Sequence, residues 1–175
     1  MFKKILIAYE GSENARRALE VASELSKKLA AELVVVHVLM HGRPSQELVR
    51  MAEVEHMIKQ AHRTVLPDIA YATGRLDNLL AGGEVIEQTA RVLSSLGDQL
   101  VSYAENRSSE LGANNVKTFV RNGDFADEIL EVAEEQNVDM IVIGSRGLGK
   151  FREAILGSVS QKVLHHAKQT VVIVK

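Results

Sequence analysis

The sequence has no cysteine, no tryptophan and only a small formal net charge, −2 at pH 7. Without cysteine the chain has neither disulfides nor thiolate chemistry, which is typical of the reducing cytosol, and we expect a cytoplasmic location. Its 21 basic and 23 acidic residues are interspersed, and no basic stripe or aromatic platform indicates a nucleic-acid surface. No apolar run approaches the length of a membrane span, so we expect no membrane insertion. At 175 residues, we expect one domain with a buried core.

Short apolar runs bounded by turn residues alternate with segments of helical periodicity along the chain. Helices are predicted after Ser12, Asp124 and Ser158, each a suitable N-cap residue, and a long helix from Ile86 is predicted to end near Gly112. Strands that alternate with helices predict an α/β fold with a single open, doubly wound, mostly parallel sheet. The apolar runs indicate buried strands at residues 5–9 and 140–143, and further strands are predicted at residues 33–39, 116–120 and 170–174.

The segment between residues 42 and 83 departs from this pattern. Residues 45–63 have helical character, and Pro67, which lies beyond them, breaks the helix. Gly82-Gly83 marks a flexible joint. We therefore expect an irregular, helical insertion after the second strand, within a single domain of residues 1–175. Its role stays open between a lid over a ligand site, a packing arm and an oligomer contact.

The fourth predicted strand continues into a glycine-rich loop. Gly144 and Gly147 follow the strand, and Gly157 with Ser158 opens the next predicted helix. Glycine lets backbone N–H groups approach a ligand with no Cβ in the way, and a helix N-terminus presents unpaired N–H groups. Strand, glycine loop and helix start together predict a phosphate-binding pocket.

Two common phosphate-binding motifs do not fit this loop. The residues from Gly144 to Lys150 have the G-x-x-x-x-G-K core of a P-loop, but Phe151 follows where that motif needs Ser or Thr to hold magnesium. The dinucleotide fingerprint fails as well, because Arg152 stands where its third glycine belongs.

The spacing that does fit is G-x-x-G, nine residues, then G-S, and it is satisfied by Gly144, Gly147, Gly157 and Ser158. It resembles the ATP-binding branch of the universal stress protein family. The resemblance extends to the loop that begins at Glu10, to the second strand and to the final strand. Residues 42–83 lie outside it.

The resemblance implies a sheet of five strands in the order 3-2-1-4-5, adenine-nucleotide alpha-hydrolase-like, with the first and fourth strands side by side. It implies that the protein binds ATP, or AMP or ADP, with Mg²⁺ accompanying ATP near Glu10 and no metal site of the chain's own. The base would lie near Ala8 and Val38, and the phosphates would lie at the glycine loop. The residues assigned to the nucleotide are Ala8, Tyr9, Glu10, Val38, Gly144, Arg146, Gly147, Gly157, Ser158, Val159 and Ser160.

Glu10 is a departure from the family's pattern, which has aspartate at this position. Glutamate keeps the charge but adds a methylene, which moves the carboxylate and costs rotamer entropy when the side chain is ordered. We expect the affinity or the preferred phosphate length to differ from the family's.

The sequence contains no catalytic set that can be assembled from its residue types. No Ser-His-Asp or Cys-His arrangement is visible, His37 is expected to be a packed histidine, and Asp139 precedes its strand at the end away from the pocket. We therefore expect a nucleotide-responsive regulatory module for stress adaptation rather than an enzyme. A slow ATPase that uses the same pocket and a homodimeric interaction protein that binds no nucleotide are the alternatives.

A homodimer is expected from the last predicted strand. The residues between Val171 and Val174 are apolar and lie in a strand that we place at the border of the sheet. Such a strand invites pairing with a second chain, and the resemblance implies dimers as well.

Overall fold

The structure is a computed structural model that describes residues 2–39, 83–147 and 156–175, with side chains in the second range from residue 95 onward. These ranges contain all five predicted strands and the four helices predicted after Ser12, from Ile86, after Asp124 and after Ser158. In chain order the elements are β1 (Lys4–Ala8), α1 (Glu13–Leu29), β2 (Glu32–Leu39), α2 (Gly83–Glu110), β3 (Asn114–Asn122), α3 (Phe125–Glu135), β4 (Met140–Gly144), α4 (Ser158–His166) and β5 (Thr170–Val174).

The chain divides into two compact units, one of Met1–Gly42 with Leu96–Lys175 and one of Arg43–Ser95. The first unit contains the whole sheet, and the second is described only where α2 begins. The predicted insertion lies outside the described residues except at Gly83, the first residue of α2. A single domain over residues 1–175 stays a prediction.

The five strands form one sheet in the order β3-β2-β1-β4-β5, which confirms the order 3-2-1-4-5. All four neighbouring pairs are parallel. Ile5 of β1 pairs with Leu33 on one side and with Met140 on the other, so β1 is the central strand. The loops after β1 and β4 therefore leave the same end of the sheet from neighbouring strands, where ligands of open α/β sheets bind. We call this the carboxyl end.

Helices cover both faces of the sheet, because successive strand residues point to opposite sides. On one face the buried residues of β1, β2 and β4 form a cluster with α3 and α4, which includes Val36, Ile129 and Val163. On the other face His37 and Leu39 contact α2 at Gly97. The doubly wound architecture is confirmed.

Helix α1 packs on the same face as α2 through small side chains. Its buried positions recur at helical spacing, and the turn that carries Ala15 contacts β4 at Gly144. Alanine at the contact lets the helix backbone come close to the sheet. None of the helices in the part of the chain that the structure describes is long and apolar enough to cross a membrane.

Two of the three predicted N-cap residues cap their helices in the structure. Ser12 is the N-cap of α1 and its hydroxyl accepts a hydrogen bond from the Ala15 N–H at 3.1 Å, as predicted. Asp124 caps α3 in the same way. The prediction for Ser158 is wrong, because Gly157 is the N-cap of α4 and Ser158 is its first residue. The reason is a backbone hydrogen bond: the Gly157 N–H donates to the Ser145 carbonyl at 2.8 Å, which holds Gly157 extended.

Candidate functional site

The glycine loop and the start of α4 are joined at Ser145, a fully buried residue just after β4. Its N–H donates to the Val174 carbonyl at 2.6 Å, and its carbonyl accepts from the Gly157 N–H at 2.8 Å and from the Ser160 hydroxyl at 2.9 Å. The fold thus brings together residues on either side of the undescribed residues 148–155. The predicted loop residue Lys150 lies outside the described residues.

The side chain of Ser160 hydrogen-bonds the backbone at both ends of the loop. Its buried hydroxyl lies 2.9 Å from the carbonyl oxygens of both Ser145 and Gly157. Because carbonyl oxygens only accept, the hydroxyl hydrogen points at the protein backbone. Ser158 is exposed and Val159 is half-buried at the first turn of α4.

The N-terminus of α4 presents backbone donors. The first hydrogen bond within this helix runs from the Gln161 N–H to the Gly157 carbonyl at 2.9 Å. The N–H groups of residues 158–160 precede it and have no acceptor within the helix. They point toward the side from which the loop arrives, and the helix dipole favours an anion there.

Glu10 lies against the glycine loop from the neighbouring strand. Its carboxyl accepts hydrogen bonds from the Ser12 hydroxyl and the Ser12 N–H. A Cβ placed on Gly147 would lie 3.3 Å from Glu10 Oε1. Burial raises the pKa of Glu10 from its ordinary 4.5 to about 7, against the opposing effect of the Ser12 hydrogen bonds. Near neutral pH this carboxyl is therefore part protonated and part charged.

Gly144 has a packing role that the sequence does not reveal. A Cβ on Gly144 would lie 3.1 Å from backbone atoms of Asn14 and Ala15 in the first turn of α1. About nine in ten real Cβ contacts are looser than this, so glycine at this position lets α1 dock on the end of β4. The contact joins residues about 130 positions apart, and no local pattern signals it.

The N–H, carbonyl and hydroxyl groups of Tyr9 each have a hydrogen-bond partner within the protein. Its N–H donates to the Val36 carbonyl at 2.9 Å, and its carbonyl accepts from His37 Nδ1 at 2.8 Å. The ring stacks on Tyr103 with centroids 6.3 Å apart, and the hydroxyl hydrogen-bonds Arg16. Burial raises the pKa of Tyr9 to about 12, so the phenol stays neutral.

Val38 presents its peptide groups beyond the end of β1. In a parallel pair, the N–H and C=O of alternate residues point to the same neighbouring strand. The Val36 carbonyl accepts from Tyr9, so the Val38 peptide groups point the same way, past the residues at which β1 ends. The side chains of Ala8 and Val38 belong to the cluster under α3 and α4.

His37 is a packed histidine, as predicted, with 2% of its surface exposed. Since the Tyr9 carbonyl can only accept, Nδ1 carries the hydrogen and the buried Nε2 holds the lone pair. Burial lowers the pKa of His37 below its ordinary 6.5, so the ring is neutral at pH 7. The ring thereby fixes the backbone where β1 ends.

Asp139 lies at the opposite end of the sheet from Glu10. Asp139 accepts from the Lys3 and Lys4 N–H groups at 2.7 and 3.0 Å, at the amino end of the sheet, away from the glycine loop as predicted. Within residues 2–39, 83–147 and 156–175, no three His, Asp or Glu side chains are grouped so that they could hold a metal ion.

Comparisons with known proteins agree over the whole chain. The model of the universal stress protein family matches residues 1–175. A universal stress protein of Bacillus subtilis, YxiE, is 31% identical over 176 residues, which covers 100% of both chains. The structure of MJ0577, a protein of Methanocaldococcus jannaschii, has a TM-score of 0.67 at 23% identity and covers 100% of this chain and 96% of its own. A universal stress protein of Archaeoglobus fulgidus in complex with dAMP has a TM-score of 0.57 at 20% identity, covering 100% and 98%.

Proposed function

Since the chain belongs to the universal stress protein family, we propose that it binds an adenine nucleotide at the carboxyl end of β1 and β4. The observation that carries the proposal is the meeting of Glu10, Gly147 and the N-terminus of α4 around Ser145. We propose further that binding changes the surface offered to a protein partner in stress adaptation. A structural neighbour in complex with dAMP supports the class of ligand.

The base and the phosphates would lie at different parts of this end of the sheet. The Val38 peptide, past the end of β1, offers a donor and an acceptor for the edge of an adenine ring, next to the small side chain of Ala8. The phosphates would lie over Gly147 and accept from the N–H groups that open α4, with Arg146 at the same loop. Mg²⁺ carried by ATP would find the Glu10 carboxylate beside Gly147.

The test is a calorimetric titration of ATP, ADP and AMP, with and without Mg²⁺, into nucleotide-stripped protein and its Gly157→Val variant. A Cβ at Gly157 makes ordinary contacts of 3.5 Å or more, and its φ of −76° suits any residue. The variant should therefore fold, and its branched side chain fills the space above the loop. We expect binding by the wild type and at least about tenfold weaker binding by the variant.

Gly157→Ala and thermal unfolding of all three proteins complete this experiment. Equal affinity of the wild type and Gly157→Val would place the nucleotide elsewhere. No binding to the wild type would refute the proposal and favour the nucleotide-free interaction protein.

Slow ATP hydrolysis is a second candidate, and it is favoured by Glu10. A carboxyl with a pKa of about 7 beside the phosphate loop can accept a proton from water at neutral pH. Steady ADP release by the wild type that Glu10→Gln abolishes would support hydrolysis. Release at the same rate by both proteins would assign it to a contaminant.

A homodimer through Val171 to Val174 is proposed for the assembly. Within the described residues, strand β5 pairs with β4 alone and is therefore an edge strand of the described sheet, and its side chains from Val171 to Val174 are half-buried. Half of its backbone N–H and C=O groups face away from β4, where a second β5 could pair with them. The cytoplasmic location stays a prediction.

A further inference from the structure

Asn14, in the first turn of α1, contacts the glycine loop with its side chain. Its amide nitrogen lies 3.3 Å from the Arg146 carbonyl oxygen and 3.5 Å from Ser145 Oγ. A carbonyl can only accept, so the nitrogen of the amide, not its oxygen, faces the loop. The approach depends on Gly144, whose missing side chain lets this turn of α1 pack on the end of β4.

Backbone hydrogen bonds hold the loop at Ser145. That residue is bonded to β5 through its N–H and to the start of α4 through its carbonyl. The next carbonyl along the loop, that of Arg146, accepts from the Asn14 side chain. Asn14 therefore contacts the peptide that joins Arg146 to Gly147.

Holding the Arg146 carbonyl also sets the direction of a backbone donor. The C=O and N–H of a trans peptide point in opposite directions. With the Arg146 carbonyl turned toward α1, the Gly147 N–H points away from α1, and Gly147 is exposed. A reversed peptide would present a carbonyl oxygen in place of that N–H, and an oxygen repels phosphate.

We infer that Asn14 is a positioning residue for nucleotide binding: it orients the Arg146–Gly147 peptide so that the Gly147 N–H can donate to a phosphate. The inference rests on the proposed function. The spacing of the glycines does not determine how the Arg146–Gly147 peptide is oriented. In this inference the Asn14 side chain of α1 determines it.

Asn14→Asp and Asn14→Ala test this role. Aspartate has the shape of asparagine but no donor, and a negative charge in the first turn of a helix stabilises the helix. Loss of the hydrogen bond to the Arg146 carbonyl lowers stability under either role, and the helix dipole offsets part of that loss in Asn14→Asp. A purely structural role predicts that the folded variants bind nucleotide as the wild type does, whereas positioning predicts weaker binding by the folded variants.

We expect both variants to bind AMP and ATP about three- to tenfold more weakly, the scale of one hydrogen bond. The neutral alanine variant separates this effect from charge repulsion by the aspartate. Glu13→Ala, a substitution of the exposed neighbouring residue, is the matched control and should bind as the wild type does.

The carbonyl ¹³C resonance of Arg146, measured without nucleotide, reports the contact independently of binding. We expect it to shift in Asn14→Ala and to stay in place in Glu13→Ala. Unchanged affinity of both Asn14 variants, or an unchanged Arg146 resonance, would overturn the inference while the proposed function stands. Absence of nucleotide binding by the wild type would refute the proposed function and the role of Asn14 in binding with it.

Discussion

The carboxyl of Glu10 makes the stability of the nucleotide-free protein depend on pH in a defined direction. Its pKa is about 7 in the fold against an ordinary 4.5, so the folded chain holds this proton more tightly than the unfolded chain does. Protonation therefore stabilises the fold. The contribution is fully present below pH 4.5 and is lost as the pH rises through 7.

The size of the effect follows from the two pKa values. The interval from 4.5 to about 7 corresponds to at most about 3.5 kcal/mol of unfolding free energy, at about 1.4 kcal/mol for each pH unit. Glu10 is half-buried and part of its surface meets water, which reduces the cost of its charge. We therefore expect a loss of about 1–2 kcal/mol between pH 4.5 and pH 8.

Urea unfolding of the wild type and Glu10→Gln from pH 4.5 to 8.5 measures this loss. Glutamine keeps an oxygen for the Ser12 hydroxyl and stays neutral, so the variant mimics the protonated side chain at every pH. The variant should gain stability over the wild type as the pH rises, by about 1–2 kcal/mol at pH 8. The difference between the two curves removes contributions from other titrating groups, among them His37.

Glu13→Gln is the matched control, because Glu13 is an exposed carboxylate in the adjoining helix turn. Its difference curve should stay flat through the interval in which that of Glu10→Gln rises. A flat curve for Glu10→Gln as well would show that water reaches the carboxyl freely, and the reasoning from burial would be wrong.

Three further predictions concern the packing, the central strands and the assembly. Gly144→Ala should lower the unfolding free energy by about 1–3 kcal/mol, because its Cβ would meet the α1 backbone at 3.1 Å; Gly157→Ala should change it less, and equal losses in urea titrations would contradict this. Burial lowers the pKa of His37, so its contribution is present above pH 6.5 and lost as the pH falls. Subtracting a His37→Asn curve should isolate that loss, and a flat difference would refute it. Val172→Lys should raise the monomer fraction in sedimentation; an unchanged mass would place the contact away from β5.

The elements that the sequence predicted are those with local signals. All five predicted strands are present. The apolar runs of β1 and β4 are buried, as expected for inner strands, whereas β3 and β5, at the two ends of the strand order, are half-buried or exposed. Ser12 and Asp124 cap the helices that follow them, since the cap oxygen and the N–H groups that donate to it lie within three residues. Gly112, with a φ of +86°, lies just beyond the end of α2, as predicted for a glycine stop.

The misses come from contacts between distant parts of the chain. Ser158 has a suitable residue type for a cap, but the bond between Gly157 and Ser145 moves the cap back by one residue. The packing of Gly144 on α1 and the hold of Asn14 on the loop both join the first strand's loop to the fourth strand's. Spacing could not show that these strands are neighbours; the resemblance to a family implied it.

Tyr9 illustrates how strand alternation divides the proposed base site. Ala8 and Tyr9 are consecutive, so their side chains leave the backbone in opposite directions. Ala8 faces α3 and α4 together with Val38, whereas the Tyr9 ring lies against Tyr103 of α2. The bulk of Tyr9 therefore lies on the α2 side of the sheet, and its backbone bonds to β2 hold the end of β1.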